Sequence, residues 1–156
     1  MGPQMAIYNK TNTSLLTSWN LNVVKSQTPS DILTVNVWNN RGGAQLVSDL
    51  KNPYVAVVDY NGETAVDEVA KNKWVQVNVP SIDGDDTIYT PIGGSVTKTL
   101  KANGGTDDYY ISGEANNGNA VDSPSNVCTI NFIVIPPPNS IPGEKLFKIR
   151  IGGWFS

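Results

Sequence analysis

The alternation of residues 128–135 constrains this chain more than any other feature. Cys128, Ile130, Phe132 and Val134 fall on one face and Thr129, Asn131, Ile133 and Ile135 on the other, a period of two that fits a pleated strand and not a helix. Apolar residues on both faces towards the end of the run predict burial from both sides there. Pro136-Pro137-Pro138 then removes three successive backbone donors, so the ladder cannot continue, and Pro142-Gly143 supplies a turn. Beyond it Phe147, Ile149 and Ile151 share a face opposite Leu146, Lys148 and Arg150, the apolar-in, polar-out pattern of a strand closing an antiparallel sheet. Two long strands joined by a stiff crossover follow, with Phe132, Val134, Phe147 and Ile149 as expected core.

The same reasoning places the other elements. Trp19, Leu21 and Val23 alternate with Asn20, Asn22 and Val24 and predict a first strand ending before Pro29; residues 31–38 predict a second, broken by Asn39-Asn40-Arg41-Gly42-Gly43. Leu46, Val47 and Leu50 within 44–52 suit a helical turn or short crossover ended by Pro53. Residues 54–60 predict a strand, and Asn61-Gly62 after it is a hairpin signal that should bring a short partner strand. Further strands are expected at 74–79, 87–92, 96–100 and 109–113, with an acidic loop at 81–86. About eight strands, regular turn signals and no long helical period describe an all-β, antiparallel β-sandwich, with a closed barrel as the alternative. Residues 1–5 read as an expression remnant and a native start at Met5, set aside from the fold, 6–18 as an arm or edge strand, and 19–156 as a single sandwich domain.

Composition narrows the function classes. A chain of 156 residues is one domain long. Its net charge of −3 and pI near 4.8, without a basic run, argue against nucleic acid or an anionic membrane as partner. The single cysteine, Cys128, rules out an intrachain disulfide and reads as a buried thiol. Histidine is absent, which excludes Ser-His-Asp and Cys-His nucleophilic sites and His-ligated metals. No enzymatic activity and no cofactor are expected. With no 18-residue apolar run and no signal-peptide pattern, the chain is expected to be soluble and not to direct its own export.

Two groups of residues invite a chemical reading. Asp83, Asp85 and Asp86 around Gly84 resemble the opening of a calcium loop but lack the later bidentate Glu; solvated turns are the plainer reading, for them and for Asp107-Asp108. A glycosidase pair would need two such carboxylates about 5–10 Å apart across a cleft. Among the aromatic residues, Trp38 and Trp74 alternate onto the polar side of their strands and, with Tyr109 and Trp154, are candidates for a subunit interface or a sugar platform. Asn9 and Asn12 head glycosylation sequons.

Three segments together resemble small immunoglobulin-like proteins encoded among the structural genes of phages and prophages of Gram-positive bacteria. They are Leu33-Thr34-Val35-Asn36-Val37-Trp38-Asn39-Asn40 with Gly42-Gly43; Val47-Ser48-Asp49-Leu50-Lys51-Asn52 running into Val55-Ala56-Val57-Val58-Asp59; and the ending from Phe132 through Pro136 and Gly143 to Ile151. The ending also resembles bacterial immunoglobulin-like accessory domains, whose closing strand begins after a Gly-Glu pair, here Gly143-Glu144. The resemblance implies an immunoglobulin-like sandwich in a virion, as head fibre, decoration or tail-associated protein. Its expected partners are other virion proteins or copies of itself in a homo-oligomeric assembly. The alternative it implies is an adhesion or carbohydrate-binding module at a cell surface or outside the cell, with a surface glycan as ligand. It carries over no catalytic residue.

Overall fold

The computed structural model describes residues 1–62, 65–105 and 107–156. In chain order the elements are β1 (Met5–Asn9), β2 (Leu33–Asn39), β3 (Leu50–Asp59), α1 (Glu68–Lys71), β4 (Val75–Asn78), α2 (Pro80–Asp83), β5 (Thr90–Ile92), β6 (Lys98–Thr99), β7 (Tyr110–Ile111), β8 (Val127–Val134) and β9 (Phe147–Trp154). One antiparallel sheet has the order β1-β2-β8-β4-β5. The second is built on β3, with β9 along one side and β6 and β7 sharing the other, since Lys51 pairs with both Tyr110 and Trp154, and Tyr54 with both Thr99 and Gly152. Among the described residues no ladder joins the two sheets. The fold is therefore an all-β antiparallel sandwich and not the barrel alternative.

The period-two pattern decides what lies between the sheets. Val35 and Val37 of β2, Val75 and Val77 of β4 and Cys128, Ile130, Phe132 and Val134 of β8 meet Val55 and Val57 of β3, with Ile92, Leu100 and Ile111 closing the core. β8 is the central strand of its sheet, bonded on both sides, with Val35 opposite Ile130 and Val77 opposite Phe132. As the sequence predicts, it is buried on both faces near its end, at Ile133 and Val134. Phe132 and Val134 are core residues. Phe147 and Ile149, expected beside them, are only half-buried, because among the described residues β9 has β3 as its only neighbouring strand and its inner face borders a cleft.

Several expectations are corrected, each because a distant segment claims the same place. Residues 19–24 form no strand: Met5–Asn9 occupies the edge beside β2 instead. The chain at 19–24 bends at Asn22, whose φ is 55° and whose N–H donates to Asn20 Oδ1 at 2.9 Å. Residues 1–5 belong to the fold, since Met5 opens β1, Gln4 N–H donates to Asn39 Oδ1 at 2.8 Å and Ser48 N–H donates to the Met1 carbonyl at 3.0 Å. Of the two readings of 44–52, residues 44–49 are the short crossover between the sheets and not a helical turn, and Pro53 does not end the segment. The strand begins at Leu50 and runs through Pro53 by a register shift between Lys51 and Tyr54, with Asn52 at φ 46°.

After Asn61-Gly62 the chain forms no partner strand for β3 among the described residues, Glu63 and Thr64 lying outside them. Both sides of β3 are taken by β9 and by β6 and β7, and the chain turns instead into α1, with the Asp59 carboxylate accepting the N–H groups of Val66 and Asp67 at 2.9 and 3.1 Å. Pro80 does stop β4, and it also opens α2 as the first helical residue, where its missing N–H costs nothing.

At the pole where β2 meets β3 and β8, buried asparagines complete the backbone hydrogen bonding. Asn39 Nδ2 donates to the carbonyls of Ser48 and Ile111 at 3.0 and 3.1 Å. Asn40 Nδ2 reaches those of Gln45 and Gly113 at 2.7 and 2.9 Å, and Asn126 Nδ2 those of Ser112 and Glu114, both at 2.9 Å. A carboxamide supplies two donors in one plane, which suits it to carbonyls from separate loops.

Two substitutions test this account. Phe132→Ala should destabilise by about 3–5 kcal/mol in denaturant unfolding, whereas Phe147→Ala should cost clearly less; equal costs would place β9 in the core after all. Asn126→Ala should cost about 1–3 kcal/mol through the carbonyls it strands, with Asn20→Ala near zero as the exposed control.

Candidate functional site

A cleft of about 550 Å³ lies between the two sheets on the β9 side. Its wall is the inner face of β9, Phe147, Ile149 and Ile151, and its floor is Leu33, Val35 and Phe132 of the facing sheet. Ile7 of β1 and Leu16 border it. It exists because the sheets do not cover each other fully there: among the described residues β3 carries β9 alone on this side, while the first sheet extends through β2 to β1. The segment after β1 closes one end. Trp19 sits there with its ring 5.9 Å from Phe132 and 6.0 Å from Phe147, edge-on to the latter at 82°, a favoured aromatic geometry.

The mouth is basic and aromatic. Lys145, Lys148 and Tyr60 line it; Lys148 Nζ lies 5.5 Å from the Tyr60 ring centre. Lys145 Nζ pairs with Glu68 Oε2 at 3.0 Å. Glu68 also accepts the Ile141 N–H at 2.9 Å, and that bond, more than Lys145, holds its carboxyl below the usual range against the opposing effect of burial. Helix α1 is thereby tied to the proline-rich crossover that leads into β9.

The residues singled out in the sequence do not gather in this cleft. Trp38 is fully buried, contrary to its expected place at an interface. Alternation assigned its face correctly, away from the core, but the turn 9–14 folds over it. Its Nε1–H donates to Asn12 Oδ1 at 2.7 Å, and the Arg41 guanidinium lies 5.4 Å from its ring and 4.2 Å from that of Tyr8. Trp74 is likewise buried, within the core cluster. Trp154 and Tyr109 are exposed, Trp154 to 70%, but neither lines the cleft.

The acidic loop is engaged in its own structure. Asp83 accepts the Val79 N–H at 2.8 Å and pairs with Lys98 Nζ at 2.8 Å. Asp85 accepts the hydroxyl and N–H of Thr87 at 2.6 and 2.7 Å, which hold its carboxyl below the usual range. Asp86, exposed, adds to the burial that raises the Tyr89 phenol. Among the described residues no three carboxylates or thiols converge as metal ligands, and the oxygens of Asp83 and Asp85 are engaged by their own loop and by Lys98. Asp107 and Asp108 are exposed. Asn9 and Asn12 serve the turn over Trp38, Asn9 Oδ1 accepting the Thr13 N–H at 2.9 Å. No helix is long and apolar enough to cross a membrane among the described residues.

Sequence reasoning missed Trp19, Tyr60 and Lys145 as cleft residues. The available signal was the alternation of Phe147, Ile149 and Ile151, read as core when it marked a half-covered edge strand. No protein-family model matches the chain, and no curated protein matches it.

Cys128 is fully buried between the sheets, and burial pushes its thiol up to about 12. It should therefore stay unmodified by a thiol-specific disulfide reagent in the folded protein up to mildly alkaline pH, and react completely in denaturant. Prompt reaction under native conditions would mean that the sandwich opens at β8.

Proposed function

We propose that this protein is a non-enzymatic structural component of a phage or prophage particle, a head fibre, decoration or tail-associated protein that works through protein-protein assembly. The observation that carries the reading is the apolar cleft beside β9, a concavity that follows the strand from Phe147 to Ile151, as a macromolecular contact requires. The exposed Trp154 and Phe155 at the end of the same strand add an apolar patch. The segments resembling immunoglobulin-like phage proteins coincide with β2, β3, β8 and β9, which supports placing the sandwich in that class. Its partners on this reading are other virion proteins or further copies of the chain, and its location is the virion, without nucleic acid, membrane or cofactor. The hydrogen bonds made by Asp83 and Asp85 speak against carboxylate-pair hydrolysis.

A carbohydrate-binding or adhesion role is the second reading, favoured by the exposed ring of Trp154. The burial of Trp38 and Trp74 weakens it, since they were its best platform candidates.

Purified particles of the source phage or induced prophage should contain the chain at a fixed ratio to the major shell or tail protein, by quantitative mass spectrometry. A chain missing from particles, strictly monomeric by light scattering and shifting its tryptophan fluorescence with glycans, would replace the assembly reading by the second.

A further inference from the structure

Three Asn-Gly pairs occur in the chain, Asn61-Gly62, Asn103-Gly104 and Asn117-Gly118. Glycine has no Cβ to keep its nitrogen away from the side chain before it, so in each pair the backbone nitrogen can reach the asparagine carboxamide wherever that group is free to turn. All three asparagines are exposed, and solvent access does not separate them. Hydrogen bonding does.

Asn103 is held at both ends of its carboxamide. Its Oδ1 accepts the Thr129 N–H and its Nδ2 donates to Thr129 Oγ1, both at 2.9 Å, while its own N–H donates to the Val127 carbonyl at 2.8 Å. Turning that side chain would leave the Thr129 N–H of β8 without its acceptor. Asn117 is held as firmly: Oδ1 accepts the Asn119 N–H at 2.9 Å and Nδ2 donates to Asp122 Oδ2 at 2.8 Å. The Gly118 N–H, on the nitrogen that would attack, is itself engaged by Asn116 Oδ1 at 2.9 Å. Asn61 has no such restraint. Among the described residues its carboxamide makes no hydrogen bond, and the Gly62 N–H reaches the Asp59 carbonyl at 3.3 Å, beyond the usual range.

We infer that Asn61-Gly62 is a self-modifying site, which converts to aspartate and isoaspartate in the folded protein while Asn103 and Asn117 persist. The Gly62 nitrogen, having given its proton to solvent, bonds to Asn61 Cγ. The Cγ–Nδ2 bond breaks, and Nδ2 leaves as ammonia with a proton taken from water. Water then opens the cyclic imide at either carbonyl, which leaves a normal or a β-linked peptide and one new carboxylate; nothing besides water is consumed. The change falls at the mouth of the cleft. Asn61 follows Tyr60, whose ring faces Lys148 Nζ at 5.5 Å, and Asp59, whose carboxylate accepts the N–H groups of Val66 and Asp67 ahead of α1. The product adds a negative charge there to a chain of net charge −3, and the β-linked form lengthens the backbone between β3 and α1 by a methylene. This inference goes beyond the assembly reading and does not depend on it.

The test is to incubate the full chain at body temperature and mildly alkaline pH and follow each pair by peptide mapping with mass spectrometry, counting isoaspartate with an isoaspartyl methyltransferase. Product should accumulate at Asn61 with first-order kinetics, faster at higher pH and with an equivalent of ammonia. Asn103 and Asn117 should lag by about tenfold or more, since their hydrogen bonds must be given up before the ring can close. In denaturant the three rates should become comparable, because only the fold separates them. Gly62→Val should slow Asn61 by about tenfold or more through its branched side chain. It should leave the melting temperature unchanged, since a Cβ at Gly62 meets no described atom within 4 Å and its φ lies outside the left-handed region. Any of three results overturns the inference: Asn61 unmodified in the folded chain while the denatured chain reacts, Asn103 or Asn117 reacting as fast as Asn61 in the folded chain, or a ranking of the three that survives denaturation.

Discussion

Backbone groups that leave the ladder must find partners elsewhere, and in this protein asparagine side chains provide them. The sandwich has long loops at the pole where β2, β3 and β8 meet, and a buried carbonyl without a donor is expensive. Asn39, Asn40 and Asn126 bond carbonyls of residues 45–48 and 111–114, while Asn116 Nδ2 donates to the Asn40 carbonyl at 2.7 Å. On the outer face of the larger sheet the same chemistry runs from strand to strand. Thr129 Oγ1–H donates to Asn36 Oδ1 at 2.7 Å, Thr34 Oγ1–H to Asn131 Oδ1 at 2.6 Å and Asn131 Nδ2 to Asn78 Oδ1 at 2.9 Å. A chain this lean in charge holds its loops with amides where others use ion pairs, which gives directional contacts insensitive to salt.

How far the fold was legible depends on the range of the information. β2, β4 and β8 were legible because period-two alternation is a local property and all three lie inside a sheet, where nothing competes for their edges. Residues 19–24 carry the same alternation and yet form no strand, since the edge beside β2 has room for one segment and Met5–Asn9 takes it. Pro53 and Asn61-Gly62 were misread for a related reason. Their local meaning is a stop and a hairpin, but β3 is flanked along both sides by strands from far along the chain, and that pairing overrides the signal.

The candidate site was less legible than the fold. Alternation tells which face a side chain takes, and it did so for Trp38; it carries no information about what later folds onto that face. The cleft depends on a mismatch in the widths of two sheets, which is a property of the assembled sandwich. Only the pattern of β9 hinted at it, through cations in the outward positions of a strand whose inward residues are large and apolar.

The turn over Trp38 has a wider consequence. Beneath it the outer face of the sheet presents an indole, and the cover is made almost wholly of small polar residues held by the carboxamides of Asn9 and Asn12. An indole on an open sheet face invites adhesion to other chains, whereas the same indole under a hydrated turn presents hydroxyls and amides to water. The colloidal behaviour of that face is therefore set by a six-residue flap and not by the strand that carries the tryptophan.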